Sequence, residues 1–169
     1  EEAKILIGFI QENLGNDTFA FYPGVSYRHC LVWKHGNPKP GKLTPPHDIS
    51  GRSVRGHLPE GTEAQLLLDM MKKSHELLKN HPINQKRVQE GKRPANSIWL
   101  WGEGMRPRLD SFQDKFGLKG SVVSAVDLIK GIGLCAKMHS CDVEGATGYI
   151  DTNFQGKMEA ALQEFERGQ

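Results

Sequence analysis

Along EEAKILIGFIQENLG the apolar residues Ile5, Leu6, Phe9, Ile10 and Leu14 recur at spacings of three to five, which predicts a helix from the first residue to Leu14, stopped by Gly15. TFAFYPG and SYRHCLVWK are runs rich in β-branched and aromatic residues, separated by Pro23 and Gly24, and predict two strands pairing antiparallel across a turn. The strongest helical stripe comprises Leu66, Leu67, Met70, Met71, Leu77 and Leu78 and predicts a helix from about Thr62 to Asn80. SIWLWGEG is dense in large apolar groups and stops at glycine, so it reads as a buried strand whose end opens onto a site. Further on, a short helix near SFQDKFG precedes the strand-like GSVVSAV and the helical DLIKGIGLCAKM. The chain closes on a helix from Asp151 to Phe165 with Phe154, Met158, Ala161, Leu162 and Phe165 on one side.

Residues 35 to 60 sustain neither period and hold most of the prolines. A long loop of this kind is uncommon inside a compact domain, and such loops often carry function. Strands and helices alternate unevenly, which gives an α+β fold, an α/β sandwich in which roughly four strands form a mixed sheet packed against helices. At 169 residues, the range 1–169 is expected to be a single domain.

Composition narrows the function. With 22 basic and 20 acidic residues the net charge is only +2, so no broad nucleic-acid surface is implied. No apolar run approaches a membrane span, and the acidic start is unlike a signal peptide. Cys30, Cys135 and Cys141 form an odd set without a C-x-x-C pair, which argues against a disulfide framework or zinc knuckle and for a reducing cytoplasmic setting. The lack of an initiating methionine suggests a piece of something longer.

Candidate chemistry centres on the stiffened loop TPPHDISGR, residues 44 to 52. His47 and Asp48 supply at most two of the three or four ligands a metal needs, and no H-E-x-x-H, D-x-D loop or clustered His/Cys pattern completes them, so no metal ligand is assigned. A G-x-S-x-G elbow and a phosphate-cradling P-loop are also absent, and no catalytic residue is assigned. Arginines are better placed: Arg28 on the second strand next to His29, Arg52 and Arg55 on the long loop, and Arg106 beyond the glycine-rich strand end. Guanidinium groups hold phosphate or carboxylate through paired donors, so a converging set would bind an anion. Trp99 and Trp101 are expected to pack in the core rather than stack on bases.

The ordered series GVSYRH, PPHDISG, NQKRVQEGKRPAN, SIWLWGEG, SAVDLIKGIG and GATGYIDTNFQGK resembles the archaeal-type cofactor-independent phosphoglycerate mutases of the alkaline phosphatase superfamily, from about Gly24 to Lys157. The resemblance implies an inserted domain of an enzyme that interconverts 2-phosphoglycerate and 3-phosphoglycerate through a phosphoserine. It also implies two divalent metals, manganese, zinc or magnesium, held outside this chain, and the phosphatase-like core of the same polypeptide as partner. Within it, Arg28, His47 and Asp48 match the family's YR and PHD segments and would hold the substrate, with Arg52 a weaker candidate. Glu103 departs from the glutamine that is commoner there. Relatives described as putative homoserine kinases leave a related phosphotransferase open, and a free-standing phosphosugar- or nucleotide-binding module is the alternative from another class.

Overall fold

In the computed structural model, which describes residues 1–168, the first apolar stripe forms helix α1 (Glu2–Leu14). Its face of Leu6, Ile7 and Ile10 is buried, Ile10 almost completely. Strands β1 (Phe19–Pro23) and β2 (His29–Trp33) pair antiparallel in the register Phe19 to Trp33 and Pro23 to His29. Alternation turns Phe19 and Phe21 inward onto α1. The outward N–H of Phe21 is taken by Gln11 Oε1 of α1 at 2.6 Å, so a backbone donor on the edge of a two-stranded ribbon is not left to the core. Helix α2 (Ala64–Lys79) adds Met70 and Leu78 to the same cluster. A hairpin alone is marginal in water. Burial against two helices, at about 1.5–3 kcal/mol per large side chain, stabilises this one.

Helix α3 (Pro82–Gln89) follows α2 after two residues, with His81 Nδ1 accepting the Ile83 N–H. Asn84, 1% exposed, donates from Nδ2 to the carbonyls of Leu78 and Ala95, and its Oδ1 accepts the Ala95 N–H. Ser74, fully buried on α2, accepts the Ile98 N–H at 3.0 Å, and His75 Nδ1 meets Asn96 O at 2.8 Å. These contacts explain a difference from the sequence reading: SIWLWGEG is not a strand but an extended strap. Its approach is pinned by polar side chains of α2 and α3, which take the backbone bonds a neighbouring strand would have taken.

The loop from 35 to 60 is closed at its neck. Lys42 and Glu60 form an antiparallel bridge with N···O distances of 2.7 and 3.1 Å. The strands cross there on Gly41 (φ +137°) and Gly61 (φ +118°); a Cβ on Gly41 would strike the Glu60 carbonyl. Only glycine fits such an approach at such angles. Inside the loop, short 3-10 turns span Pro46–Ile49 and Val54–Gly56, and Ile49 is buried as an anchor.

Contacts divide the chain into two compact units, Glu1–Met105 and Arg106 onward. The second begins with α4 (Phe112–Phe116), capped by Ser111 and ended at Gly117 in the left-handed region. Strand β3 (Ser121–Val123) runs parallel to β4 (His139–Cys141), joined through α5 (Asp127–Cys135), and α6 (Phe154–Glu166) follows. The GATGYIDTN segment braces itself: Thr152 Oγ1 accepts the Thr147 N–H at 2.9 Å, Lys157 Nζ donates to Thr147 O, and Asn153 caps α6 through the Gly156 N–H.

The α+β class stands, but the mixed four-stranded sheet does not. Among the described residues the four strands form two separate pairs, one antiparallel and one parallel. SIWLWGEG, read as a strand, joins neither pair, and its Ile98 N–H goes to Ser74 Oγ instead. Helix α6 turns most of its apolar residues outward. Phe154, Met158, Leu162 and Phe165 are exposed, and the side that packs on β3 presents Glu164.

Candidate functional site

The TPPHDISGR loop is held by the two tryptophans of the strap. Trp99 Nε1 donates to Thr44 O at 2.7 Å. The Trp101 ring meets the His47 imidazole edge-on, with centroids 5.1 Å apart and planes at 79°. Pro45 and Pro46 fix the approach, the Asp48 N–H closes the 3-10 turn onto Pro45 O at 3.1 Å, and Ile49 seats it in the core. His47 and Asp48 thus stand on a turn with little freedom while their side chains remain 65% and 62% exposed. Their Nε2 and Oδ1 lie 3.8 Å apart, a contact too exposed to contribute more than about 0–1 kcal/mol to stability. The turn presents one imidazole and one carboxylate to a ligand.

Arg28 lies one residue before β2, in the hairpin turn rather than on the strand. Its guanidinium rests over the Tyr27 ring at 5.3 Å and donates to Tyr27 Oη at 3.4 Å. No hydrogen bond or ion pair joins it to the 44–52 loop among the described residues. The Arg52 backbone N–H bonds Ile49 O at 2.9 Å, while its exposed side chain makes no ion pair among the described residues. The structure therefore brings His47 and Asp48 together and leaves Arg28 and Arg52 as separate cationic groups. Trp99, assigned to the core by sequence, instead hydrogen-bonds the loop, and Trp101 is 41% exposed.

A cavity of about 980 Å³ opens beside α2, walled by Leu14, Val54, Leu58, Met71 and Trp99 with Lys72 near it. None of the four expected substrate residues lines it.

A second polar constellation lies in the unit beginning at Arg106. Glu164 of α6, 5% exposed, accepts from Ser121 Oγ at 2.5 Å and from Arg167 Nη1 at 2.8 Å, and meets His139 Nδ1 at 2.7 Å. The Ser121 hydroxyl foremost, then the His139 ring and the Arg167 guanidinium, hold its carboxyl down to about 2 against the opposing effect of burial. Cys141 Sγ stands 3.7 Å from the same His139 nitrogen, and burial followed by the Glu164 charge pushes the thiol up. Sequence reasoning missed this group. The pair H-x-C sits at strand spacing, which places both side chains on one face, but Glu164 arrives from 23 residues beyond Cys141 and no motif links them.

Among the described residues no helix is long and apolar enough to cross a membrane.

Comparison with known proteins adds a lineage. A family model described as 2,3-bisphosphoglycerate-independent phosphoglycerate mutase matches residues 1–84. The chain is 55% identical over 166 residues to a protein of Geobacter sulfurreducens named "Probable 2,3-bisphosphoglycerate-independent phosphoglycerate mutase", covering 98% of this chain and 41% of that one. To the 2,3-bisphosphoglycerate-independent phosphoglycerate mutase of Methanosarcina barkeri it is 48% identical over 163 residues, covering 96% and 41%. Among solved structures, a Pyrococcus horikoshii protein superposes with a TM-score of 0.69 at 27% identity over 98% of this chain and 39% of its own. The cofactor-independent phosphoglycerate mutase of Thermoplasma acidophilum, at 22% identity, shares the fold with a TM-score of 0.60, over 99% of this chain and 46% of its own. The chain spans about two fifths of the length of the curated relatives it matches.

Proposed function

Because the chain belongs, over the length it spans, to the 2,3-bisphosphoglycerate-independent phosphoglycerate mutases, we propose that it is the substrate-positioning part of a cytoplasmic enzyme interconverting 2-phosphoglycerate and 3-phosphoglycerate. The observation that carries this reading is the His47–Asp48 turn: two exposed polar side chains on backbone fixed by Trp99, Trp101 and Ile49. A mutase needs such a hold. The phosphoryl group must leave one glycerate oxygen and return to the other, and the glycerate must not escape in the interval. Asp48 accepts from a glycerate hydroxyl, and the exposed His47 imidazole donates to a substrate oxygen. Arg28 pairs two donors with carboxylate or phosphate, and Arg52 adds a weaker cationic contact.

The serine that accepts the phosphoryl group and the two divalent metals, manganese, zinc or magnesium, belong to the phosphatase-like core of the same polypeptide in this reading. A packing argument supports that core as partner. Parallel strands are normally covered on both faces, yet β3 and β4 are a lone parallel pair of three residues each. Beside them Leu128 and Ile132 of α5 and Phe154, Met158 and Phe165 of α6 are exposed. The remaining three fifths of a parent as long as the relatives is the occupant these apolar faces fit.

The test is a coupled mutase assay on the full-length parent and on this chain alone, with homoserine plus a nucleoside triphosphate as the competing substrate pair. The expected result is mutase turnover by the parent and background from the chain. Turnover by the chain that survives repurification and vanishes on His47→Ala, or a parent active only on homoserine, would overturn the proposal.

A further inference from the structure

The His139, Cys141 and Glu164 side chains converge in a way a hydrogen-bond relay does not require. In a relay that activates a thiol, the imidazole places the thiol on one ring nitrogen and the carboxylate on the other. Here both partners face the same atom: Nδ1 of His139 lies 2.7 Å from Glu164 Oε2 and 3.7 Å from Cys141 Sγ. One nitrogen cannot serve both by hydrogen bonding at full strength. A single ion between the three atoms can.

We propose that His139, Cys141 and Glu164 form a binding site for one divalent transition ion of zinc-like softness, distinct from the metals of the phosphoryl-transfer chemistry. The three ligand atoms lie within 4.8 Å of one another. Bonds of roughly 2.3 Å to sulfur and 2.0 Å to nitrogen in a tetrahedral shell separate those two atoms by about 3.6 Å, and they stand 3.7 Å apart. The nitrogen and carboxylate oxygen must open from 2.7 Å to about 3.3 Å, a shift within reach of a small side-chain rotation.

The surroundings suit the charge. Binding releases the thiol proton to solvent, so thiolate and carboxylate together neutralise the ion. Arg167 holds the other carboxylate oxygen, Oε1, at 2.8 Å, which orients Glu164 without occupying the Oε2 position. Ser121 on β3 donates to Oε2 at 2.5 Å, which takes one lone pair of that oxygen and leaves the other to the ion. The His139 side chain is 53% exposed, which leaves an open side where water completes the shell. Imidazole, thiolate and carboxylate together select zinc or cobalt over magnesium, which takes oxygen ligands in octahedral geometry.

Cobalt(II) titration of the full-length protein tests the site, since a thiolate-to-cobalt charge-transfer band reports sulfur ligation and nothing else. The expected result is a band that saturates at one cobalt per chain, is lost in Cys141→Ala and persists in Cys30→Ala and Cys135→Ala. His139→Gln should weaken binding by more than about 100-fold, beyond the usual loss on removing an outer-shell partner, with an unchanged far-ultraviolet circular dichroism spectrum. A band absent at saturation, or undiminished in Cys141→Ala, overturns the proposal. If that variant does not fold, thiol alkylation of the wild type read by peptide mass spectrometry decides. Zinc must slow modification of Cys141 and leave Cys30 unaffected, and equal rates with and without zinc refute the site.

Discussion

Replacing Asn84 with alanine should cost the unit from Glu1 to Met105 about 3 kcal/mol. Three hydrogen bonds are lost, two donated by Nδ2 at 2.8 Å and one accepted by Oδ1 at 2.9 Å, at roughly 1 kcal/mol each. The figure is not larger because Leu78 O keeps the His81 N–H at 3.1 Å and Ala95 is exposed enough for water to replace the amide. Trp33, Trp99 and Trp101 all lie in this unit, so tryptophan fluorescence in urea follows it selectively. With a slope of about 1–3 kcal/mol per molar, the midpoint should fall by about 1–3 M. Asn84→Asp separates bonding from volume. It keeps the shape and the acceptor but turns both donors into an oxygen facing two carbonyls, so it should be at least as unstable as the alanine variant at pH 7. An aspartate variant with the wild-type midpoint would refute the claim that Asn84 ties the strap to α2 and α3.

Two further predictions concern the hairpin and the loop neck. Burial lowers the His29 pKa from 6.5, and its Nδ1 accepts the Gly24 N–H at 3.3 Å. Its stabilising contribution is therefore full above about pH 6.5 and is lost as pH falls through the lower folded value; His29→Gln should flatten the stability slope just below pH 6.5, and an unaltered slope contradicts the assignment. Gly41→Ala places a side chain at φ +137° against the Glu60 carbonyl and should destabilise by about 3 kcal/mol or more, from backbone strain of roughly 1–3 kcal/mol plus the collision. Cleavage by protease within residues 42–60 should accelerate, and an unchanged digestion rate would show that the neck does not close the loop.

Legibility in the sequence followed the locality of the forces. Helix α1, the hairpin and α2 were readable because each is encoded by its own apolar period, and Ile10, Phe21 and Met70 meet in one core as the stripes required. SIWLWGEG reads as a strand because its apolar content suits one, whereas its approach is held by Ser74 at Ile98, and by His75 and Asn84 at the preceding Asn96 and Ala95, polar contacts that leave no apolar period. His47 and Asp48 were legible as neighbours stiffened by proline; their support from Trp101 was not, since that contact spans 54 positions and leaves no spacing signature. The apolar side of α6 was legible from its spacing, whereas its exposure, Phe154 and Phe165 included, depends on neighbours that spacing does not encode.

The claim that the His47–Asp48 turn and Arg28 hold the substrate is tested most directly by steady-state mutase kinetics of Arg28→Ala and Asp48→Asn in the full-length enzyme, with melting temperature and metal content measured on the same samples. Turnover should fall by on the order of 100-fold, the scale of a lost positioning contact, while both controls stay at wild-type values. Normal kinetics in both variants, or activity lost together with metal and stability, would contradict the account and return the loop to a scaffold role.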